Sequence, residues 1–261
     1  KEGVPTIQKT VELTIGCMIH VSLKGVPKHI VGRLRKTATF PNPEFYKRQR
    51  MRMQTYPHTR FIFSGELRTD ELVLPRGLLD QIVLILEGAG AHIATRDERL
   101  ARRRMTVAFA GELTQRQKGA VNALKKTDTG VLVAPPGFGK TVVGCALIAE
   151  RGVSTLVLVH RQPLLDQWKE SIIRFLGLDS KDIGILGGAK RTITGRLDLV
   201  MLQTLTRRGD ICELAHQYTH VIIDECHHIP AVSFEAVLKQ LPARYVLGLT
   251  ATPYRKDGLE N

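Results

Sequence analysis

The sequence predicts an α/β domain with a doubly wound parallel sheet, preceded by a small α+β unit. From Gly130 onward, apolar runs of strand length alternate with helical patterns, as they do where helices cover both faces of a parallel sheet. Before Gly111, one segment alternates between apolar and polar residues, which is typical of a half-buried strand. With 261 residues and a hydrophobic fraction of 43%, the chain is long enough for two domains with their own cores.

The front part contains short elements of both kinds. Apolar side chains at the odd positions from Val11 to Leu23 predict a strand or hairpin, and Ile30 to Leu34 predicts a short helix. A proline-rich break then precedes a strongly basic helix over Glu44 to Arg52. Three further elements are predicted: a strand over Arg60 to Ser64, a helix that opens at Leu74 to Gly77 and continues from Leu78 to Glu87, and a strand over His92 to Thr95.

The second part contains the strands of the parallel sheet. We place the boundary near the run of three arginines at 102–104, which gives a front domain over 1–110 and a second domain over 111–261. The predicted strands are Val131 to Ala134, Thr155 to His160, Leu197 to Leu202, His220 to Asp224 and Tyr245 to Thr250.

Positive charge is concentrated in the front part. The chain carries a formal net charge of +13, and residues 1–110 hold 19 Lys/Arg against 10 Asp/Glu. Between Lys24 and Arg60 there are ten basic residues, one acid and several aromatic residues. Basic groups neutralise phosphates and aromatic faces stack on bases, so this stretch is either a nucleic-acid surface or a solvated face that aids solubility. The proposed contacts are Lys47, Arg48, Arg50 and Arg52.

A glycine-rich segment after the first strand of the parallel sheet predicts a phosphate-binding P-loop. Ala134 to Thr141 lies between a predicted strand and a predicted helix, where backbone N–H groups and the helix dipole favour phosphate. Lys140 would reach the β- and γ-phosphates, and the Thr141 hydroxyl would bind Mg²⁺. The first glycine of the general motif is Ala134 here. The predicted ATP-binding residues of this loop are Pro136, Gly137, Phe138, Gly139, Lys140 and Thr141.

Two carboxylates end the predicted strand over His220 to Asp224. Beside a P-loop, such a strand end suits a metal-binding carboxylate and a base that activates water. We assign Asp224 to Mg²⁺ and Glu225 to the base; an acidic pair that caps the next helix is the alternative. His227 and His228 lack further ligands at the spacing of a zinc site, so we assign His227 a coupling role in catalysis.

These motifs, together with Leu249-Thr-Ala-Thr-Pro253, resemble motifs I, II and III of superfamily 2 DEAD/DEAH-type helicases. Within that superfamily they look most like the XPB-type and type III restriction-type branch. The resemblance implies a RecA-like P-loop NTPase domain that hydrolyses ATP with Mg²⁺. It also implies that Gln117 contacts adenine and that the segment over His160 to Trp168 is motif Ia. For Trp168 itself, packing against the sheet is favoured over stacking on a base.

The same resemblance implies further functional residues. Nucleic-acid contacts fall on Arg161, Gly187, Gly188, Gln203 and Thr204, and coupling residues on Thr250, Thr252 and Arg255. In the triplet that follows motif III, Lys256 stands where the branch often has Glu, which weakens any strand-separating role for that triplet. The front domain resembles the segment that precedes the helicase part of TOTE-type conflict-system proteins.

The resemblance therefore predicts an ATP-dependent DNA helicase or translocase, with an ATP-gated DNA clamp or sensor that does not separate strands as the alternative. DNA is the expected partner, and RNA stays open. A second RecA-like domain of the same polypeptide is expected outside this sequence, so weak activity is expected of this portion alone. The four widely separated cysteines and the absence of a long apolar run predict a cytoplasmic protein without a membrane segment.

Overall fold

The computed structural model describes residues 10–188, 190–204, 214, 216–226 and 239–252. The chain divides between residues 99 and 100 into two compact units. In the described part of the chain, no helix combines the length and the apolar character needed to cross a membrane.

The front unit is built on a mixed five-stranded sheet. Its elements are β1 (Thr10–Ile15), β2 (Met18–Ser22), α1 (Lys28–Thr37), β3 (Thr39–Pro41), α2 (Pro43–Arg50), β4 (Phe61–Phe63), β5 (Glu66–Leu67), β6 (Glu71–Pro75), α3 (Leu79–Glu87) and β7 (His92–Asp97). The strand order is β5-β6-β2-β1-β7, and β3 pairs with β4 in a separate ribbon. Only β1 and β7 pair in parallel within the five-stranded sheet.

The alternating pattern at the start of the chain produces a hairpin. Val11, Leu13 and Ile15 of β1 are buried, and β2 returns antiparallel with the register Leu13 opposite Val21. Because side chains alternate between the faces of a strand, this register brings the apolar residues to one face, where α1 and α3 cover them. The predicted hairpin is confirmed.

Two predicted boundaries in this unit need correction. Leu74 does not open a helix: it ends the buried run of β6, and a 3₁₀ turn over Arg76–Leu78 separates this strand from α3. The pairing of β6 with β2 decides this assignment, since Leu74 lies opposite Ile19. The basic helix ends at Arg50 rather than Arg52, and Arg52 takes a left-handed backbone with φ of 54°.

The second unit contains a seven-stranded sheet. Its elements are α4 (Gln115–Leu124), β8 (Thr129–Val133), α5 (Lys140–Arg151), β9 (Thr155–Val159), α6 (Gln162–Leu176), β10 (Gly184–Gly187), β11 (Lys190–Thr192), β12 (Leu197–Met201), β13 (His220–Asp224) and β14 (Tyr245–Thr250). The order is β11-β10-β12-β9-β13-β14-β8, and all neighbours are parallel except β11.

Three helices cover one face of this sheet. Residues of α4, α5 and α6 form one core cluster with alternate residues of the central strands, and the remaining residues of those strands form a second cluster on the opposite face. A helix layer over that second face stays a prediction. The carboxyl ends of β8, β9, β10, β12, β13 and β14 share one sheet edge, because these strands are parallel. The residues that follow those strands therefore meet at that edge.

The segment that leads into the second unit is hydrogen-bonded to it along its length. The Leu100 amide donates to the Pro242 carbonyl, and the Met105 amide to the Gly152 carbonyl. The Ala110 amide donates to the carbonyl of Phe175 in α6. Residues 100–110 therefore pack with the second unit.

His220 provides a pH-dependent term in the stability of this sheet. It is fully buried at the start of β13, and burial holds the pKa of its ring well below the usual 6.5, with the nearby Arg151 acting in the same direction. The depressed pKa means that the unfolded chain takes up a proton below about pH 6.5 that the folded chain does not. His220 therefore does not change the free energy of unfolding above that pH, and it lowers the free energy of unfolding as the pH drops below it.

We expect the free energy of unfolding of His220→Phe to fall less steeply as the pH drops below about 6.5, with a slope smaller by up to about 1.4 kcal/mol per pH unit. The phenyl ring keeps the edge-on contact with Tyr245 and has no proton to gain. Urea unfolding followed by the fluorescence of Trp168 measures this slope in the second unit. The exposed His216, changed to Phe, serves as the control. Equal slopes for His220→Phe and the unchanged chain would contradict the assignment.

Candidate functional site

The segment between β8 and α5 forms a turn that can surround an anion. Gly137 and Gly139 have φ of 81° and 83°, a backbone region that favours glycine, and Gly139 is the N-cap residue directly before α5, which begins at Lys140. A side chain at Gly139 would also lie 2.5 Å from Nε2 of Gln117. The Ala134 amide donates to the Thr250 carbonyl at 3.0 Å, which ties the start of this turn to the end of β14.

Lys140 connects this turn to the end of β13. Its Nζ donates to the Ala134 carbonyl at 3.2 Å and lies 3.6 Å from Oε1 of Glu225. Both side chains are largely buried, with relative exposures of 10% for Lys140 and 22% for Glu225. The structure therefore brings together the lysine and the carboxylate that the sequence predicts to act on the same ligand.

Asp224 ends β13 with both carboxylate oxygens engaged. Its Oδ2 accepts a hydrogen bond of 2.8 Å from Nε1 of Trp168, and its Oδ1 accepts one of 2.9 Å from the Glu225 amide. Burial raises the pKa of the Asp224 carboxyl above its usual 3.8; the Trp168 hydrogen bond acts against this rise, and the charge of Glu225 adds to it. Asp224 is thus a buried acceptor whose ionised form needs a positive partner.

Glu225 takes an uncommon backbone conformation. Its φ of 48° lies in the left-handed region, which costs a non-glycine residue about 1 kcal/mol or more. Such backbone strain is concentrated at functional sites, where the surrounding structure fixes a side chain in one direction. Here the turn places the Glu225 carboxylate beside Lys140.

Gln117 is engaged with the P-loop. Thr114 and Gln117 form a capping box at the start of α4, in which Oε1 of Gln117 accepts from the Thr114 amide. Nε2 of Gln117 donates to the Phe138 carbonyl at 2.8 Å. The carboxamide therefore links α4 to the phosphate-binding turn, and the adenine contact predicted for Gln117 stays a prediction.

Three further residues of the predicted nucleotide site, Thr141, Thr250 and Thr252, lie at the same edge. Thr141 is buried in the first turn of α5, and its Oγ1 lies 3.5 Å from Nε2 of Gln167. Thr250 and Thr252 form a local turn after β14, in which the Thr250 hydroxyl donates to the Thr252 carbonyl and accepts from the Thr252 amide. His227 and Arg255 lie outside the described residues.

The predicted nucleic-acid contacts of this unit lie at or after the carboxyl ends of β9, β10 and β12. Arg161 is exposed at the start of α6. Nε2 of Gln203 donates to the carbonyl of His160, which directly precedes Arg161. Thr204 follows Gln203. A cavity of about 360 Å³ extends from α6 to the end of β10, lined by Gln162, Leu165, Asp166, Lys169, Ile185, Gly187 and Gly188. Both predicted glycines therefore border an accessible groove.

In the front unit, the residues on and after α2 that we predict to contact nucleic acid differ in their exposure and in their local partners. Asn42 caps the helix and donates to the Thr59 carbonyl, which fixes α2 to the following loop. Lys47, Arg50 and Arg52 are exposed, and Nζ of Lys47 lies 4.0 Å from Oε2 of Glu44. Arg48 is committed to local partners, with Nε 3.2 Å from Oε1 of Glu44 and Nη1 3.3 Å from the Gln54 carbonyl. Exposed apolar side chains lie among them: Met51, Met53 and Tyr56.

Sequence reasoning missed the part that α6 takes in the nucleotide site. Trp168 is buried, as predicted for an aromatic residue that packs in the core, but it also donates to Asp224. Its neighbour Gln167 reaches Thr141. The residue type was the only available signal, because a buried tryptophan needs a partner for its N–H group.

The chain is similar in sequence to known helicases and translocases, in agreement with the motifs. The chain is 35% identical over 147 residues to the DNA 3'-5' translocase XPB2 of Sulfurisphaera tokodaii, covering 56% of this chain and 32% of the relative. It is 34% identical over 155 residues to the DNA 3'-5' helicase XPB of Mycobacterium tuberculosis, covering 57% of this chain and 28% of the relative. The matched region therefore spans about a third of the length of each of these two relatives.

A solved structure supports the fold class. The crystal structure of the UvsW helicase from bacteriophage T4 matches with a TM-score of 0.67 and 16% identity, covering 94% of this chain and 93% of that one. This likeness concerns the fold, and it confirms the predicted RecA-like sheet preceded by a small mixed domain. The family model for the type III restriction enzyme res subunit matches residues 110–255. Because that match covers more than half of the sequence, the chain belongs to the type III restriction enzyme res subunit family, as the superfamily 2 resemblance of its motifs implies.

Proposed function

We propose that this chain is the ATP-binding portion of an ATP-dependent DNA helicase or translocase, in which Mg²⁺-dependent ATP hydrolysis is coupled to movement on nucleic acid. The observation that carries this proposal is the 3.6 Å contact between Lys140 and Glu225, which joins a phosphate-binding turn to a strand that ends in two carboxylates. The named relatives, a translocase and a helicase acting on DNA, support the same conclusion.

In this proposal the turn over Pro136 to Gly139 surrounds the phosphates of ATP with backbone N–H groups. Lys140 supplies the positive charge at the β- and γ-phosphates, and Gln117 holds the turn against α4 and reads adenine. Lys140 contacts Glu225 in this structure, so it would exchange part of that contact for the phosphates when ATP binds.

The residues present fit a magnesium ion. Asp224 and Thr141 offer a carboxylate and a hydroxyl oxygen, both of which suit this hard cation. Magnesium is commonly held by one or two protein ligands together with phosphates and water. When bound, the ion would neutralise phosphate charge.

Glu225 would act as the general base that accepts a proton from the attacking water, and His227 would couple this site to the rest of the protein. Thr250, Thr252 and Arg255 would relay the state of the nucleotide toward the groove. The hydrogen bond between the Ala134 amide and the Thr250 carbonyl supports such a relay, since it joins the start of the P-loop to the end of β14.

DNA would bind along the groove at the carboxyl ends of β9, β12 and β10. Arg161 and Gln203 would contact its backbone, and Gly187 and Gly188 would allow its close approach. RNA is the alternative ligand of the same surface. A second RecA-like domain of the same polypeptide would complete the ATP site, and its arginine would raise hydrolysis by about a thousandfold or more.

We also propose a functional division in which residues 1–110 bind nucleic acid and residues 111–261 bind ATP, although residues 100–110 pack with the second unit. The four cysteines are widely separated in the sequence and form no C-x-x-C pair, which supports a reducing compartment, the cytoplasm.

The front domain yields a prediction about salt dependence. Replacing the exposed Lys47, Arg50 and Arg52 with Gln should weaken binding to duplex DNA of any sequence. The slope of log affinity against log salt should flatten by up to about 0.9 for each phosphate that the variant no longer neutralises. The matched control is Arg48→Gln, which should change the slope less because Arg48 is held by Glu44 and the Gln54 carbonyl.

Fluorescence anisotropy of the whole chain with labelled duplex over a salt series measures this slope. If the triple variant keeps the slope of the unchanged chain, the basic stretch is a solvated face. The groove of the second unit must then hold the nucleic acid alone.

Two assays separate the proposed motor from an ATP-gated clamp or sensor. Lys256, which stands where the branch often has Glu in the triplet after motif III, is the reason that the clamp is kept as the alternative. Strand displacement by the complete polypeptide, measured on a forked duplex with Mg²⁺ and ATP, is expected of a helicase. ATP-dependent displacement of a bound triplex-forming strand without duplex separation indicates a translocase. Neither activity, despite ATP-dependent DNA binding, indicates a clamp.

A further inference from the structure

Helix α6 contacts both residues proposed to bind magnesium. Nε1 of Trp168 donates to Oδ2 of Asp224 at 2.8 Å, and Nε2 of Gln167 lies 3.5 Å from Oγ1 of Thr141. Two consecutive residues of one helix therefore reach the carboxylate and the hydroxyl of the proposed site. The shorter contact, between Trp168 and Asp224, is buried at both ends: Trp168 is fully buried and Asp224 is 4% exposed.

The indole ring of Trp168 is held in place by α5. A Cβ atom at Gly144 would lie 2.5 Å from Cη2 of Trp168, so the ring fills the space beside that glycine. The ring belongs to the same core cluster as Val143 and Leu147 of α5. Because close packing on this side prevents the ring from turning, its N–H group has one direction, toward Asp224.

The hydrogen bond from Trp168 affects both the ionisation and the orientation of the Asp224 carboxylate. An indole N–H group is a neutral donor that cannot accept a hydrogen bond, so it favours the acceptor role of the ionised carboxylate. With Oδ1 held by the Glu225 amide and Oδ2 by Trp168, the plane of the carboxylate is fixed from two sides. Hydrogen bonds that orient a metal ligand in this way commonly affect metal affinity by tenfold to a hundredfold.

We propose that Trp168 is a positioning residue of the nucleotide site, whose indole N–H fixes the Asp224 carboxylate in the orientation that binds magnesium. This inference rests on the proposed function of Asp224. It assigns to α6 a part in metal binding in addition to the groove contacts on its Gln162, Asp166 and Lys169 side.

The composition of the chain allows an atom-level test. Trp168 is the only tryptophan, so biosynthetic replacement of tryptophan by benzothienylalanine changes this side chain alone. The replacement puts sulfur in place of the N–H group and keeps the shape of the ring. We expect the affinity for Mg²⁺ in the presence of a non-hydrolysable ATP analogue to fall about tenfold to a hundredfold, with the metal-free affinity for the analogue unchanged.

A purely structural tryptophan gives a different result. The isostere would then bind Mg²⁺ as the unchanged chain does, and that outcome overturns the proposal. A genetically encoded variant provides a second measurement: Trp168→Phe should lose Mg²⁺ affinity to a similar extent. Its packing control is Ile172→Val, which removes buried volume one turn further along α6 and leaves the hydrogen bond to Asp224 in place. Thermal unfolding of both variants separates lost stability from lost metal binding.

Asp224→Ala distinguishes this proposal from the proposed function. If Asp224→Ala keeps Mg²⁺-dependent nucleotide binding, the assignment of Asp224 itself is wrong. If Asp224→Ala loses that binding while the isostere and Trp168→Phe retain it, Asp224 binds the metal without help from Trp168 and only the positioning role fails.

Discussion

We expect Glu225→Gln to bind ATP with nearly unchanged affinity and to lose hydrolysis by about a hundredfold to ten-thousandfold. The substitution keeps the size of the side chain and removes the group that accepts the proton of the attacking water. In the unchanged chain, Nζ of Lys140 lies 3.6 Å from Oε1 of Glu225. Glutamine can still fill this space beside Lys140, so the P-loop should keep its shape.

Phosphate release by the complete polypeptide, with saturating Mg²⁺, ATP and duplex DNA, measures the hydrolysis. Binding of a fluorescent ATP analogue to the same variant measures the affinity. Glu170→Gln is a matched control, because Glu170 lies on the exposed side of α6 and its substitution should change neither quantity. Turnover close to that of the unchanged protein in Glu225→Gln would exclude Glu225 as the base.

The second large effect is expected at the metal ligand. Asp224→Ala should remove the Mg²⁺-dependent part of the nucleotide affinity, by about a hundredfold or more, because it deletes a ligand rather than a group that orients one. The fold should persist. Removing a buried carboxylate whose pKa is raised by burial relieves a desolvation cost, although it leaves the N–H group of Trp168 without its acceptor.

Calorimetric titration of Asp224→Ala with the ATP analogue, in the presence and absence of Mg²⁺, measures this change. Asp179→Ala is the control, since the Asp179 side chain is 73% exposed and pairs with Lys181. A folded Asp224→Ala variant with full Mg²⁺-dependent affinity would show that the metal binds elsewhere.

Much of the second unit could be predicted from the sequence, because fully buried parallel strands are continuous apolar runs. The strands over His220–Asp224 and Tyr245–Thr250 have the predicted bounds. The P-loop could also be predicted, because its turn requires left-handed backbone conformations and therefore glycines at fixed positions of the motif. In both cases the signal is local: a few consecutive residues determine the element.

The missed elements depend on partners distant in sequence. The strand over Glu71–Pro75 pairs with the one over Met18–Ser22, and without that partner its last residues read as a helix opening. The strands over Gly184–Gly187 and Lys190–Thr192 are short and rich in glycine or polar residues, so their pairing with each other and with the neighbouring parallel strand gave little local signal.

The same reason explains what was missed in the site. The hydrogen bond from Trp168 to Asp224 joins residues 56 positions apart on different elements. The contact between Gln117 and the Phe138 carbonyl likewise joins α4 to the P-loop. Motif spacing indicates which residues handle phosphate and metal, but only the packing of α4 and α6 against α5 shows which side chains orient them.

We infer that the P-loop and the end of β13 form one magnesium-dependent nucleotide site. Calorimetric titration of the unchanged chain with a non-hydrolysable ATP analogue, at several Mg²⁺ concentrations, tests it most directly. We expect one nucleotide to bind per chain, with an affinity that rises with Mg²⁺ until the metal site is saturated. No binding, or binding with the same affinity with and without Mg²⁺, would contradict it.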